Sequence, residues 1–177
     1  RMRAQDLPCG ICRGRLGAIH YDEPSDAQHP LSFVIDEILP ISRYREFGYD
    51  SREAAADTLD LIKAENARDA GGVLHCFSYE PEMAKIYTDM GFYIGIGGVV
   101  TFKNARKLKE VAAQMPMELM LLETDCPYLA PEPYRGKRNS SLYIPHIAQA
   151  IADIKGITYE EVVAQTEQNG KLLFGIQ

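Results

Sequence analysis

The sequence lacks the features that mark membrane-bound or secreted proteins. No apolar run approaches the roughly 20 residues that a membrane-spanning helix needs, and no signal peptide is recognisable. Four cysteines in 177 residues are too few for a disulfide scaffold. The sequence also has no internal repeat and no low-complexity tract. We therefore expect a cytoplasmic protein with no membrane partner.

An excess of basic charge is also missing. Nineteen lysines and arginines face 25 aspartates and glutamates, which gives a formal net charge of −6. Contact with a nucleic acid would therefore require a local basic patch. The hydrophobic content of 46% is enough for a sizeable core. The chain is shorter than the about 250 residues of a typical complete α/β barrel, so we expect one domain, or one with a small appendage.

The composition and hydrophobic pattern of the sequence change near residue 50. Residues 1–50 are rich in turn-forming glycine and proline, and a segment this small needs a metal or a neighbouring domain to be stable. Residues 33–35 and 38–39 are predicted to form short strands on either side of Asp36 and Glu37. These two carboxylates could hold a divalent cation, or they could be an exposed pair in a hairpin.

Residues 51–177 alternate between helix and strand patterns. Apolar runs at 73–77, 92–96 and 119–122 predict strands; one helix is expected to begin at Pro81, and Asn104 could cap the next. A proline-rich loop follows, and two final helices are expected to stop at Gly156 and Gly175. The first carries an apolar stripe of Ile144, Ile147, Ala148 and Ile151, and the second begins with the capping-box spacing of Thr158 and Glu161. Successive βα units buried on both faces indicate an α/β protein with a parallel sheet, either open or part of a barrel.

Two residues at predicted strand ends could carry chemistry. In βα folds, functional groups gather at the carboxyl ends of strands, and His75 and Asp125 lie at or near such ends. Imidazole and carboxylate together bind zinc or manganese-like ions. Asp125 could be a metal ligand, a general base, or both. The alternatives are a hydrogen-bonded core histidine and an aspartate that caps the next helix.

The loop at 134–139 concentrates three cations close to Asp125. Arg135, Lys137 and Arg138 lie in this loop, which could receive a phosphate group through guanidinium and backbone N–H groups. The alternative is a solvated surface loop.

The cysteines offer a second candidate metal site. Cys9 and Cys12 have the Cys-x-x-Cys spacing of half a zinc site, but no second pair follows at a suitable distance. Along its predicted strand, Cys76 is expected to face away from His75. We therefore expect Cys76 and Cys126 to pack as small apolar residues.

From about Ser51 onward, the sequence resembles the C-terminal half of TatD-type metal-dependent deoxyribonucleases. The resemblance covers about 70% of the chain. It implies part of a TIM barrel that cuts phosphodiester bonds in DNA with divalent zinc, magnesium or manganese. His75 would be a metal ligand, and Asp125 a ligand that also positions the attacking water. The matching segments are Ser51-Arg52-Glu53-Ala54, Gly72-Val73-Leu74-His75-Cys76-Phe77-Ser78, Gly95-Ile96-Gly97-Gly98, Val100-Thr101-Phe102-Lys103-Asn104, Leu121-Leu122-Glu123-Thr124-Asp125-Cys126-Pro127-Tyr128-Leu129 and Pro133-Tyr134-Arg135-Gly136-Lys137-Arg138-Asn139.

The sequence departs from that family in its ligand set. The family has a His-x-His pair on its first strand and a glutamate on its third, and neither has a counterpart here. A ligand histidine precedes the Ser-Arg-Glu run in the family, whereas this chain has Asp50. Asp50 could still bind a metal, or it could cap the following helix. The resemblance thus implies about half of the barrel's βα units and an incomplete active site.

Residues 1 to about 57 resemble the HNH endonucleases. The matches are Cys9-x-x-Cys12, the run from Phe33 to Arg43, and Phe47-Gly48-Tyr49-Asp50-Ser51. In that family Asp36 would hold the metal, and position 37 would usually be a histidine instead of glutamate. The two resemblances predict a boundary at residue 50, between an HNH-like fragment and a TatD-like hydrolase segment. We interpret the chain as a fusion of two nuclease fragments.

Three functions compete on these grounds. The first is a metal-dependent deoxyribonuclease that uses His75 and Asp125. The second is a non-catalytic module that holds DNA through Arg135, Lys137 and Arg138, and the third is a non-functional fusion fragment. Because a half barrel exposes sheet edges and apolar faces, we also expect self-association that completes the barrel.

Overall fold

The computed structural model describes residues 34, 35 and 51–176. The elements of this part of the chain alternate between strand and helix, and short 3₁₀ turns join several of them. In chain order they are β1 (Val34–Ile35), α1 (Ser51–Ala64), β2 (Val73–Leu74), α2 (Pro81–Asp89), β3 (Tyr93–Ile96), α3 (Arg106–Gln114), β4 (Met120–Leu122), α4 (Ile144–Lys155) and α5 (Tyr159–Phe174).

The strands form one parallel sheet in the order β1-β2-β3-β4. The register pairs Val34 with Val73, Leu74 with Ile94, and Ile96 with Leu122. The predicted α/β class with parallel βα units is therefore confirmed, with three of the strands inside 51–176. A strand at 34–35 is also confirmed, whereas the strand predicted at 38–39 lies outside the described residues.

The core lies between the sheet and the apolar sides of the helices. Three side chains of α4 that were expected on one stripe, Ile147, Ala148 and Ile151, are fully buried. Each of the two isoleucines contributes about 1.5–3 kcal/mol when it is removed from water, so the stripe fixes α4 against the core. None of the described helices has the length and low charge that a membrane span needs.

Local signals place most helix ends correctly. Thr158 and Glu161 form the predicted capping box at the start of α5: the Glu161 N–H donates to Thr158 Oγ1 over 3.2 Å, and the Thr158 N–H donates to the Glu161 carboxylate over 2.8 Å. Gly156 and Gly175 end α4 and α5 with φ values of 68° and 61°. Asn104 was a wrong choice for a cap, because Ala105 occupies that position and no side chain caps α3.

The strand predicted at 73–77 is shorter, because it ends at Leu74. Cys76 has a φ of 49°, and a left-handed residue cannot continue a strand. The expectation that Cys76 faces away from His75 along a strand was therefore wrong, since both side chains approach Asp125. The packed position expected for Cys126 was also wrong, because this residue is exposed.

Candidate metal centre

Three side chains meet at the carboxyl ends of β2 and β4. His75 directly follows β2, and Glu123 and Asp125 follow β4 at alternate positions. Because the strands are parallel, their carboxyl ends lie at the same edge of the sheet. Each of the three side chains offers one ligand atom, and these atoms all lie within 4.8 Å of one another.

His75 lies closer to Glu123 than to Asp125. His75 Nε2 lies 2.6 Å from Glu123 Oε2 and 3.9 Å from Asp125 Oδ1. The exposed fractions are 27% for the histidine side chain, 11% for Glu123 and 16% for Asp125. The cluster is therefore shielded from bulk water but remains open to a small ligand.

Burial raises the pKa of the Glu123 carboxyl, and the nearby charge of Asp125 acts in the same direction. The hydrogen bond and charge of His75 and the backbone N–H of Cys76 oppose this rise. Two carboxylates that share a half-buried site repel each other, and a bound cation would remove that repulsion. The electrostatics of the cluster therefore favour positive charge between these groups.

Cys76 contacts both carboxylates from the turn after β2. Its backbone N–H donates to Glu123 Oε1 over 2.7 Å, and its Sγ donates to Asp125 Oδ2 over 3.3 Å. One residue thus connects the end of β2 to both carboxylates at the end of β4.

Two glycines at β3 leave room for the same carboxylates. A Cβ atom on Gly95 would lie 2.8 Å from Glu123 Oε2, and one on Gly97 would lie 3.3 Å from Asp125 Oδ2. Any larger residue at position 95 would therefore press on the Glu123 carboxylate. The Gly95-Ile96-Gly97 segment therefore packs against both carboxylates of the cluster.

Asn139 fixes the loop that follows Asp125. Its side chain is buried, and its Nδ2 donates to the carbonyl of Tyr128 over 2.6 Å, while its backbone N–H donates to Pro127 over 3.0 Å. Gly98 permits the close approach of the loop, because a Cβ there would lie 2.4 Å from the Leu129 carbonyl oxygen. The loop therefore packs tightly next to the cluster.

The three predicted cations are exposed on this loop. The Arg135 guanidinium lies 4.3 Å from the centroid of the Phe102 ring, which is a cation–π distance. The neighbouring Tyr134 ring stacks on Tyr143 at 4.2 Å. Arg135, Lys137 and Arg138 are thus available to an anion at the surface.

A cavity of about 510 Å³ adjoins the cluster. His75 and Glu123 contribute to its wall from the sheet, and Val163 and Phe174 contribute from α5. The cavity leaves space for a ligand much larger than a metal ion next to the candidate centre.

The structure brings the two principal sequence candidates, His75 and Asp125, together. The sequence reasoning missed Glu123 as a ligand candidate. A signal was available, because Glu123 and Asp125 are two positions apart at a strand end and can therefore point to the same side. The remaining metal candidates, Cys9, Cys12, Asp36 and Asp50, lie outside the described residues.

The cluster fits a divalent metal. One imidazole nitrogen and two carboxylate oxygens form a normal donor set for zinc or manganese-like ions. Three protein ligands leave positions for water and substrate, which is the arrangement of catalytic rather than structural zinc sites. The expectation of a metal cofactor thus has a matching group of residues in the structure.

The family model for TatD-related DNases matches residues 50–175. An uncharacterized metal-dependent hydrolase of Bacillus subtilis, YabD, is 45% identical over 126 residues, which are 71% of this chain and 49% of the relative. The solved TatD homolog YjjV of Escherichia coli K12 has a TM-score of 0.57 and 27% identity over 60% of this chain and 41% of that chain.

A hydrolase of the TatD family from Entamoeba histolytica shares the fold, with a TM-score of 0.63 and 22% identity over 76% of this chain and 54% of that chain. The chain spans about half the length of the curated relatives that it matches. The family match covers well over half of this chain and includes His75, Glu123 and Asp125. On these grounds, the chain belongs to the family of TatD-related DNases.

Proposed function

We propose that this chain hydrolyses phosphodiester bonds in DNA with the help of a divalent metal. The observation that carries the proposal is the cluster of His75, Glu123 and Asp125, whose ligand atoms lie within 4.8 Å of one another at the carboxyl edge of the sheet. Proteins similar over this same segment are named metal-dependent hydrolases.

His75 and Asp125 would hold the metal, and Glu123 would add a second carboxylate. A bound divalent metal would lower the pKa of a water molecule at the site and so supply a hydroxide nucleophile near neutral pH. Asp125 is our candidate for orienting that water, because it is the more exposed of the two carboxylates. The low exposure of Glu123 suits a carboxylate ligand placed beside His75.

DNA is the substrate class that the surroundings of the cluster favour. Arg135, Lys137 and Arg138 are exposed on the loop that follows Asp125, and guanidinium groups bind phosphate in a bidentate manner. In an acidic chain such a local basic patch gives a phosphate backbone a place to bind. The description of the matching family as DNases supports the same substrate.

An end-labelled DNA oligonucleotide tests this proposal. We expect cleavage with zinc, magnesium or manganese, and a loss of about 10²-fold or more in the Asp125→Ala protein. Asp153→Ala is the matched control, because this exposed aspartate bonds to Gln149 on its own helix. Cleavage that is absent in the wild type, or unchanged in Asp125→Ala, would contradict the proposal.

The same assay separates the two alternative functions. A non-catalytic module would bind the oligonucleotide without cleaving it, and replacing Arg135, Lys137 and Arg138 with alanine would lower the affinity and its dependence on salt. A non-functional fusion fragment would neither bind nor cleave. The HNH-like fragment and the domain boundary at residue 50 stay predictions from the sequence.

A further inference from the structure

We propose that Cys76 is a positioning residue, which orients the carboxylates of Glu123 and Asp125 for the metal. The inference rests on the proposed function, since it concerns the same metal centre. It assigns a role to a residue that the sequence pattern had placed among the small apolar side chains.

In each carboxylate, one oxygen accepts a hydrogen bond from Cys76 and the other points towards His75. Its N–H binds Oε1 of Glu123 over 2.7 Å, while Oε2 lies 2.6 Å from His75 Nε2. Its Sγ binds Oδ2 of Asp125 over 3.3 Å, while Oδ1 lies 3.9 Å from His75 Nε2. In both carboxylates, Cys76 holds one oxygen, and the other oxygen faces the imidazole nitrogen.

An arrangement in which one carboxylate oxygen is hydrogen-bonded and the other is free to bind a metal is common among metal ligands in proteins. Carboxylates that bind a metal are usually hydrogen-bonded through groups that do not touch the metal themselves. Among the described residues, the ligand atoms that approach one another within 4.8 Å come from His75, Glu123 and Asp125, and Cys76 Sγ is not one of them. The thiol therefore supports the carboxylates instead of joining the ligand set.

The backbone of Cys76 is consistent with this role. Its φ of 49° lies in the left-handed region, which costs a non-glycine residue roughly 1–2 kcal/mol. The turn brings the N–H and the thiol of the same residue to the two carboxylates, whereas the strand pattern predicts opposite directions for residues 75 and 76. Glycine would adopt this φ without strain but would offer no thiol.

Two substitutions separate the thiol from the backbone. Cys76→Gly keeps the N–H and relieves the strain but removes the side-chain donor, and Cys76→Ser keeps a hydroxyl donor. Cys126→Ala is the matched control, since this second cysteine is exposed and its Sγ contacts Thr124. The measurements are Zn²⁺ and Co²⁺ affinity by competition with a chelator, the thermal midpoint without metal, and the absorption spectrum with Co²⁺.

We expect Cys76→Gly to bind metal about 10-fold or more weakly while its metal-free thermal midpoint is equal to or above that of the wild type. Cys76→Ser should recover most of the affinity, and Cys126→Ala should match the wild type. Any sulfur-to-cobalt charge-transfer band of the wild type should persist unchanged in Cys76→Ser, because the Cys76 thiol is not a ligand.

Three results would overturn the inference while leaving the proposed function intact. These are wild-type affinity in Cys76→Gly, an equal loss in Cys76→Gly and Cys76→Ser, and a charge-transfer band that disappears in Cys76→Ser. A wild-type protein that binds neither ion would overturn the proposed function and this inference together.

Discussion

At the scale of single residues, the candidate centre requires a glycine at position 95 as well as the charged ligand side chains. The carboxylate of Glu123 lies directly over Gly95, where a single added carbon atom would come within 2.8 Å of Oε2 and 3.3 Å of the Leu74 carbonyl oxygen. The backbone oxygen cannot move freely, so the flexible carboxylate has to give way. Position 95 therefore controls where Glu123 can lie.

Replacing Gly95 with alanine should weaken metal binding without unfolding the protein. We expect a loss of about 10-fold in Zn²⁺ affinity, because the displaced Glu123 carboxylate leaves its place beside His75. Isothermal titration measures this change. Gly170→Ala is the control, since a Cβ there would lie 4.0 Å from its nearest neighbour, a Leu121 methyl group. Unchanged affinity in Gly95→Ala would show that Glu123 is not needed.

Tyr87 is completely buried, and burial raises its pKa from 10.0 to about 12. The stability of the protein should therefore depend on pH in the alkaline range. Above pH 10 the unfolded chain loses this proton more readily than the folded protein does, so alkali favours unfolding. The free energy of unfolding should fall by about 2 kcal/mol between pH 10 and 12 through this group. The loss should be absent below about pH 9.

Tyr87→Phe should remove that part of the alkaline loss. No described group accepts a hydrogen bond from the Tyr87 hydroxyl, so the variant should also be more stable at neutral pH by about 1 kcal/mol. Urea unfolding at pH 7 and pH 11 measures both effects, with Tyr128→Phe at an exposed position as the control. A Tyr87→Phe protein that is less stable at pH 7 would contradict this reading.

At the scale of elements, the features that could be predicted from the sequence are those set by hydrophobic periodicity and by helix capping. The α/β order, the buried stripe of α4 and the capping box at Thr158 are local patterns, and all three are present. The turn at Cys76 could not be predicted, because its φ of 49° is stabilised by carboxylates 47 and 49 positions later in the chain. The spacing of Glu123 from Asp125 could have identified it as a candidate, whereas its contacts with His75 and Cys76, which follow another strand, could not be predicted.

The buried side chain of Asn169 connects α5 to the segment that contains β4. Asn169 Nδ2 donates to the carbonyl groups of Met117 and Met120, both over 2.7 Å. Asn169→Ala should lower the free energy of unfolding by about 2–3 kcal/mol, since it leaves these carbonyl groups without that donor. Urea unfolding measures the change, and Gln168→Ala, at an exposed position on the same helix, is the control. A change below about 0.5 kcal/mol would contradict the assigned role.

At the scale of the whole molecule, the described residues include large apolar side chains that are exposed to solvent. Leu172, Phe174 and Ile176 are between 41% and 67% exposed at the end of α5. No described strand pairs with the outer edge of β4. Exposed sheet edges and contiguous apolar side chains promote association, so we predict that copies of the chain associate through this region.

Light scattering tests this prediction. We expect a mass of about twice the 19.8 kDa of the chain, because two sheets of four strands supply the eight strands of a barrel. The double substitution Leu172→Glu and Phe174→Glu should shift the protein towards the monomer, while Leu142→Glu, at an exposed position remote from α5 in sequence, is the control. A stable, monodisperse wild-type monomer would contradict the prediction.

The central claim of this account is that His75, Glu123 and Asp125 together bind a divalent metal. The most direct test is the metal affinity and stoichiometry of the purified protein, measured by titration with Zn²⁺ and Mn²⁺ alongside His75→Ala and Asp125→Ala. The account predicts at least one ion per chain, and a loss of about 10-fold or more in each variant. A wild-type protein that binds no ion, or variants that bind as the wild type does, would contradict it.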